Sequence, residues 1–161
     1  MKKVVLLIAV FLSLSALTFA QMQQGDIQLF QKYFGTEKMA LVKEYMKLTP
    51  AQDSVFWSDY NAYETARLEI GQRRIQLVDK YLKTIEGLTE VKAVEMINEA
   101  NAIDVDFKAL QKKYFKKMTK TIGAVKAGQF YQFEGYLNNV INLMIQENIP
   151  FVGELEKKLD K

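Results

Sequence analysis

The stretch Leu48-Thr49-Pro50-Ala51-Gln52-Asp53 decides the fold, because it sets where the longest element of the chain must begin. Thr49 suits the N-cap, where its hydroxyl accepts a backbone N–H that would otherwise lack a partner. Pro50 then falls at the first helical position, where a missing N–H is harmless and the ring already holds a helical φ. Gln52, three residues beyond the cap, can reach back to the Thr49 N–H and close a capping box. Asp53 adds negative charge at the positive end of the helix dipole. Asp53 also stands where a hydrophobic staple to Leu48 would need an apolar side chain, so that accessory contact is absent.

Downstream of Pro50 no proline recurs until Pro150. The periodicity predicts a helix to about Glu86, roughly 55 Å long at ~1.5 Å per residue. One stripe of it reads Phe56, Tyr60, Tyr63, Arg67, Ile70, Arg74, Leu77 and Tyr81. A second, about 100° round the helix, reads Trp57, Leu68, Ile75 and Leu82. Two apolar stripes on one rod call for two packing partners, more than a simple surface helix needs. Gly87 is expected as the C′ residue of this helix. Thr89 is expected to cap the next one, with Glu90 in its first turn and Met96, Ala100, Ile103, Phe107, Leu110, Tyr114 and Met118 along one face. Gly123 and Gly128 bracket a break, and a last long helix starts near residue 126, carrying Phe130, Phe133, Leu137, Val140, Ile141 and Met144. The aromatic run Phe130 to Leu137 imitates a strand, but helical spacing continues through Met144. Asn148-Ile149-Pro150 stops this helix, and Val152 to Leu159 form a last turn or two. Starts near 49, 89 and 126 are too irregular for a solenoid repeat. They describe an all-α fold of long antiparallel helices in a hairpin-like bundle.

Upstream of Leu48, Met39, Val42 and Met46 recur at three and four residues, widened by Leu41 and Tyr45, so a short amphipathic helix runs over 37–47. Residues 21–35 read as a flexible leader: a polar start (QMQQGDIQ), then Leu29, Phe30, Tyr33 and Phe34, then Gly35. Residues 1–20 have the layout of a cleaved secretory signal: Lys2 and Lys3, an apolar Val4 to Leu17, and Thr18-Phe19-Ala20 before the cut. The apolar stretch falls short of the about 20 residues that a membrane span needs. The expected organisation is therefore signal 1–20, leader 21–35 and helical domain 36–161. Two of the 22 Lys and Arg lie in the signal, leaving 20 against 19 Asp and Glu. A nearly neutral domain offers no broad positive surface for nucleic acid. No later segment is apolar enough to insert stably in a bilayer once the signal is removed. With no Cys, the exported fold must be held by helix packing alone.

The chain has neither His nor Cys. That removes imidazole bases, thiolate nucleophiles, haem ligation by His and soft-ligand zinc sites. No phosphate loop or serine nucleophile elbow occurs. Glu95, Glu99, Asp104 and Asp106 cluster along one helix, where a solvated acidic face is the simpler reading than a cation site. We assign no catalytic residue, no metal and no cofactor, and read the chain as a binding protein and not an enzyme. The candidates for client contact are Phe56, Tyr60, Tyr63, Arg67 and Arg74, which would offer apolar area and fixed positive charge together. Their alternative is the core, with each Arg reaching its edge or pairing with an acid on a neighbouring helix. The run Lys112, Lys113, Lys116, Lys117 and Lys120 around Tyr114 and Phe115 reads as a solvated face able to attract anionic clients.

Leu48, Thr49, Pro50 and Gln52 match the LTxxQ signature of the Spy/CpxP-like periplasmic proteins, which this chain also resembles in its signal peptide, small mature domain, long charged helices and abundant Met and aromatic residues. Those proteins often carry a second copy of the motif; here the comparable Val125-Lys126-Ala127-Gly128-Gln129 retains only Gln129. The resemblance implies a periplasmic envelope-stress protein. Spy-like members form cradle-shaped antiparallel homodimers that hold unfolding clients without ATP, and CpxP-like members inhibit a sensor kinase. The zinc-resistance-associated branch binds metal, often through His, which this chain lacks. The expected function is thus an ATP-independent chaperone or stress adaptor acting on unfolded protein clients. The alternative is a soluble regulatory partner of a membrane sensor or sigma-factor pathway.

Overall fold

The computed structural model describes residues 37–149. The signal over 1–20, the leader over 21–35 with its apolar cluster, Pro150 and the turn expected over Val152 to Leu159 lie outside the described residues. The chain divides into two compact units, Met1–Ala40 and Leu41–Lys161. Of the first, only residues 37–40 are described, and they are helical.

All regular structure among the described residues is helical, in four helices: α1 (37–46), α2 (Pro50–Thr84), α3 (Glu90–Ile122) and α4 (Ala124–Asn148). Lys47 ends α1 in the left-handed region, at φ 44°. At the start of α2, the Thr49 hydroxyl accepts from the Gln52 N–H at 3.4 Å, and Gln52 Oε1 accepts from the Thr49 N–H at 3.1 Å. Asp53 in the same turn accepts from the Trp57 indole N–H at 2.8 Å.

α2 ends differently from expectation. It tightens into a 3₁₀ turn, Ile85–Gly87, and Gly87 does not adopt positive φ. A tightened last turn satisfies terminal carbonyls through i→i+3 bonds, so a left-handed cap is not needed. Thr89 caps α3 through the Lys92 N–H at 3.4 Å. α3 and α4 are separated by Gly123 alone, at φ 87° and ψ 156°. That region is essentially closed to any residue with a Cβ. The last helix consequently starts at Ala124, two residues before its expected place, and Gly128 lies inside it. The stretch compared with a second LTxxQ motif is therefore helix interior: the Lys126 ammonium donates to the Met46 carbonyl at the end of α1, and α4 has no side-chain cap.

α2 and α3 run antiparallel, as their cross-links show in order: Lys80 with Glu95, Arg73 with Glu99 and Asp106, Asp59 with Lys117, Gln52 with Ile122. α4 packs along α3 in turn, while α2 and α4 stay further apart and meet through long side chains. The main core gathers at the capped end of α2. Val42 and Met46 of α1, Phe56, Tyr60 and Tyr63 of α2, Leu110, Tyr114, Met118 and Ile122 of α3, and Ala127 and Phe130 of α4 form one buried cluster. Its rings meet edge to face, with Phe56 and Tyr63 at 5.6 and 5.2 Å from Phe130 and Tyr63 at 5.4 Å from Tyr114. Such contacts add about 0.5–1.5 kcal/mol per pair beyond the area buried.

Candidate functional site

The aromatic candidates for client contact lie inside this core. Phe56, Tyr60 and Tyr63 are at most 1% exposed, so the client-facing surface expected of them is interior. Arg67 and Arg74 follow on the same stripe and are also turned inward, with side chains 13% and 15% exposed. The physical reason is on α4. Its buried stripe begins apolar at Ala127 and Phe130 and continues polar at Glu134 and Asn138. The Tyr63 phenol donates to Glu134 at 2.8 Å, and Arg74 Nη1 donates to Asn138 at 2.8 Å. Arg67 pairs with Glu64 one turn before it, at 3.0 Å.

The ionisation of these groups follows from that setting. Burial holds the Tyr63 phenol well above the ordinary tyrosine range, and the charge and hydrogen bond of Glu134 add to it. Tyr60 is raised likewise, by burial first and then by Glu64 and Glu134. For Arg67, burial is the largest single influence and disfavours the charge, but Glu64, Glu134 and Tyr63 together more than reverse it. For Arg74 burial prevails, and its pairing with Asp104 only partly compensates.

Glu95, Glu99, Asp104 and Asp106 of α3 keep side chains 45–62% exposed while pairing with bases of α2. Glu99 and Asp106 grip Arg73 at 2.9 and 2.5 Å, Glu95 lies 3.5 Å from Lys80, and Asp104 lies 2.9 Å from Arg74. No group of three or more potential ligands that could hold a metal ion occurs among the described residues. The lysine run is exposed, with one member tied down: Lys117 holds the buried Asp59 at 2.8 Å. That hydrogen bond and the Asp59 charge lift the Lys117 ammonium above its ordinary value.

Past Tyr63, α2 has no fully buried residue, although Ile70, Leu77, Val78 and Tyr81 continue its inner face. There the three helices leave a groove of about 370 Å³. α2 supplies Arg74, Leu77, Val78 and Tyr81; α3 supplies Ala93, Met96, Ile97, Ala100, Ile103 and Asp104; α4 supplies Asn142, Ile145 and Gln146, and Leu88 and Ile149 close the end. Met96 and Ile103, 6% and 1% exposed, make its floor. Its volume lies in the range of small-molecule sites, and its mixture of apolar walls with a few polar groups is what such sites share. Of the five proposed contact residues, only Arg74 reaches this groove. The remainder could have been found from one signal: Leu77 and Tyr81, Met96 and Ile103, and Ile145 each continue an apolar stripe beyond the length that a compact core can cover.

The fold and groove define a helical-bundle protein with a half-covered apolar site at one end. No family model matches the chain, and neither a curated protein nor a solved structure matches it. No helix among the described residues is long and apolar enough to cross a membrane.

Proposed function

We propose that this chain is an exported, periplasmic binding protein, an ATP-independent chaperone or envelope-stress adaptor that receives exposed apolar segments of client proteins in the groove between α2, α3 and α4. The observation that carries this reading is the groove itself, about 370 Å³ walled by aliphatic side chains of three helices. Apolar contact without a deep enclosure gives weak, non-directional binding, which suits clients of varied sequence. The signal layout of residues 1–20 and the likeness of Leu48, Thr49, Pro50 and Gln52 to the Spy/CpxP-like motif support the compartment and the role. The reading is of a binder and not an enzyme.

A cradle-shaped antiparallel homodimer is part of the proposal, and the surface of α3 supports it. The outer face of α3 carries Val91, Val94 and Val105, 70, 60 and 66% exposed, with Asn98 and Asn101 between them. Two copies meeting antiparallel along α3 would cover these valines against one another across a two-fold axis.

Suppression of aggregation of a chemically denatured client tests the reading. The protein in stoichiometric excess is expected to slow aggregation, and Ala100→Phe, which fills the groove from α3, is expected to lose most of that effect while keeping its melting temperature. An unaltered aggregation rate with the native protein would overturn the chaperone reading. A pull-down recovering one membrane sensor and no generic client would point instead to the regulatory alternative.

A further inference from the structure

We propose that the groove is a site for a single-chain anionic amphiphile, an alkyl carboxylate whose tail lies on Met96, Ile103 and Leu77 and whose head pairs with Arg74. This goes beyond the client reading and does not rest on it. The first observation is size and chemistry. A volume of about 370 Å³ lined by thioether and aliphatic side chains matches one medium-length alkyl chain better than a folded partner.

The second is the state of Arg74. Its side chain is 15% exposed, yet its one counter-charge among the described residues is Asp104, itself 62% exposed. Asn138 fixes the other arm of the fork at 2.8 Å. The guanidinium is thus oriented, mostly dry and served by a carboxylate that water also solvates. Burial outweighs the help Asp104 gives it, which agrees with an under-compensated cation. Planar guanidinium favours a carboxylate over other heads because two parallel N–H donors match two oxygens.

The third is exchangeability. Arg73 engages Glu99 and Asp106, and Lys80 lies beside Glu95, so these acids are committed elsewhere. Asp104 alone must yield, and it can turn to water. An arriving carboxylate keeps the pair neutral while its chain covers the apolar floor.

Isothermal titration of the full-length protein with dodecanoate, dodecanol and dodecyltrimethylammonium, each below its micellar concentration, tests the proposal. Dodecanoate is expected to bind about tenfold or more tighter than the alcohol, the weight of a hydrogen bond to a charged group, and the cation weakest. Asp104→Asn removes the rival carboxylate and is expected to tighten dodecanoate several-fold with no change for the alcohol. Arg74→Met is expected to erase the preference for carboxylate. Equal binding of all three probes, binding of none, or an Asp104→Asn variant no tighter than the native protein would each overturn it. The comparison of heads on native protein and Asp104→Asn decides the matter even if Arg74→Met fails to fold. A failed aggregation assay beside selective dodecanoate binding would refute the client reading alone.

Discussion

Gln52→Glu separates two jobs that one side chain performs. In a capping box Glu serves as well as Gln, since the N-cap N–H needs only an acceptor. A negative charge in the first turn would add about 0.3–1 kcal/mol through the helix dipole. Capping alone therefore predicts a neutral or stabilising change. The structure gives Gln52 a second bond, however: Nε2 donates to the Ile122 carbonyl at 2.9 Å, tying the start of α2 to the last turn of α3. Glutamate cannot donate there, and its charge would face a carbonyl at the negative end of α3. The loss of a net hydrogen bond is about 0.5–1.5 kcal/mol, and the unfavourable charge at a helix C-terminus about 0.3–1 kcal/mol at a partly exposed site. The expected balance at pH 7 is a destabilisation of about 1 kcal/mol, or roughly 2–6 °C in melting temperature for a domain of this size. A protonated carboxyl can donate again. Facing a carbonyl, the new carboxyl should have a folded pKa above its unfolded value of about 4.3. The defect should therefore be full well above that pH and shrink as the medium is acidified through it. Urea titrations followed by helical ellipticity at pH 7 and pH 3.5, for native protein, Gln52→Glu and Gln52→Ala, measure it. If Gln52→Glu equals or exceeds native stability at pH 7, the bridge to Ile122 contributes nothing and the reasoning fails.

Three further outcomes follow from backbone and burial. Gly123→Ala should destabilise by about 1–3 kcal/mol from backbone strain alone, because a Cβ there would meet nothing within 4 Å; a thermal melt unchanged from native would contradict the one-residue α3–α4 connection. Lys47→Gly should stabilise by about 0.5–1 kcal/mol by relieving a left-handed non-glycine residue, readable in the same melts. Tyr60 and Tyr63 should resist ionisation, since burial raises both phenols above the ordinary range. The sign is that of a neutral acid favoured by folding: stability from this source is intact below about pH 10, where unfolded tyrosine ionises, and falls as pH rises past it. Absorbance at 295 nm should show their ionisation only together with unfolding, and complete tyrosine ionisation in a still-helical protein would refute it.

The helix starts at Pro50 and Glu90 were legible because capping chemistry is local: Thr49, Gln52 and Thr89 act within three residues of themselves. The apolar face of α3 was legible for the same reason, since a single period of 3.6 orders Met96 through Met118. Gly87 misled because a 3₁₀ turn and a left-handed cap are alternative ways to satisfy the same carbonyls, and composition does not choose between them. Gly123 showed a break but not that one residue suffices for it. Arg74 and the inward turn of the stripe misled for a longer-range reason, whereas Arg67 has its ion pair close by, at Glu64. An arginine on an apolar stripe reads as surface unless an acid or amide lies opposite, and Glu134 and Asn138 are some seventy residues away. Those two residues do continue the 3–4 spacing of Ala127 and Phe130. A polar pair extending a buried stripe was the available sign that the neighbouring helix would answer with charge.

The division between the two ends of the bundle has a physical logic. Every fully buried residue of α2 falls between Phe56 and Tyr63, beside the cap at Thr49 and the bridge from Gln52 to Ile122. Aromatic packing, capping and the tie to α3 thus concentrate at one end. Further along, the α2–α4 seam passes to Tyr63–Glu134 and Arg74–Asn138, contacts made at the reach of long side chains, and then to the groove. Long polar side chains hold two helices at a distance where aliphatic ones would draw them together. The seam thereby keeps α4 from closing onto Leu77 and Tyr81, and a wholly apolar seam would fill the groove with the protein's own side chains. Polar residues at Glu134 and Asn138 weaken the core locally, yet they are what leaves an apolar site open at the far end of a fold secured elsewhere.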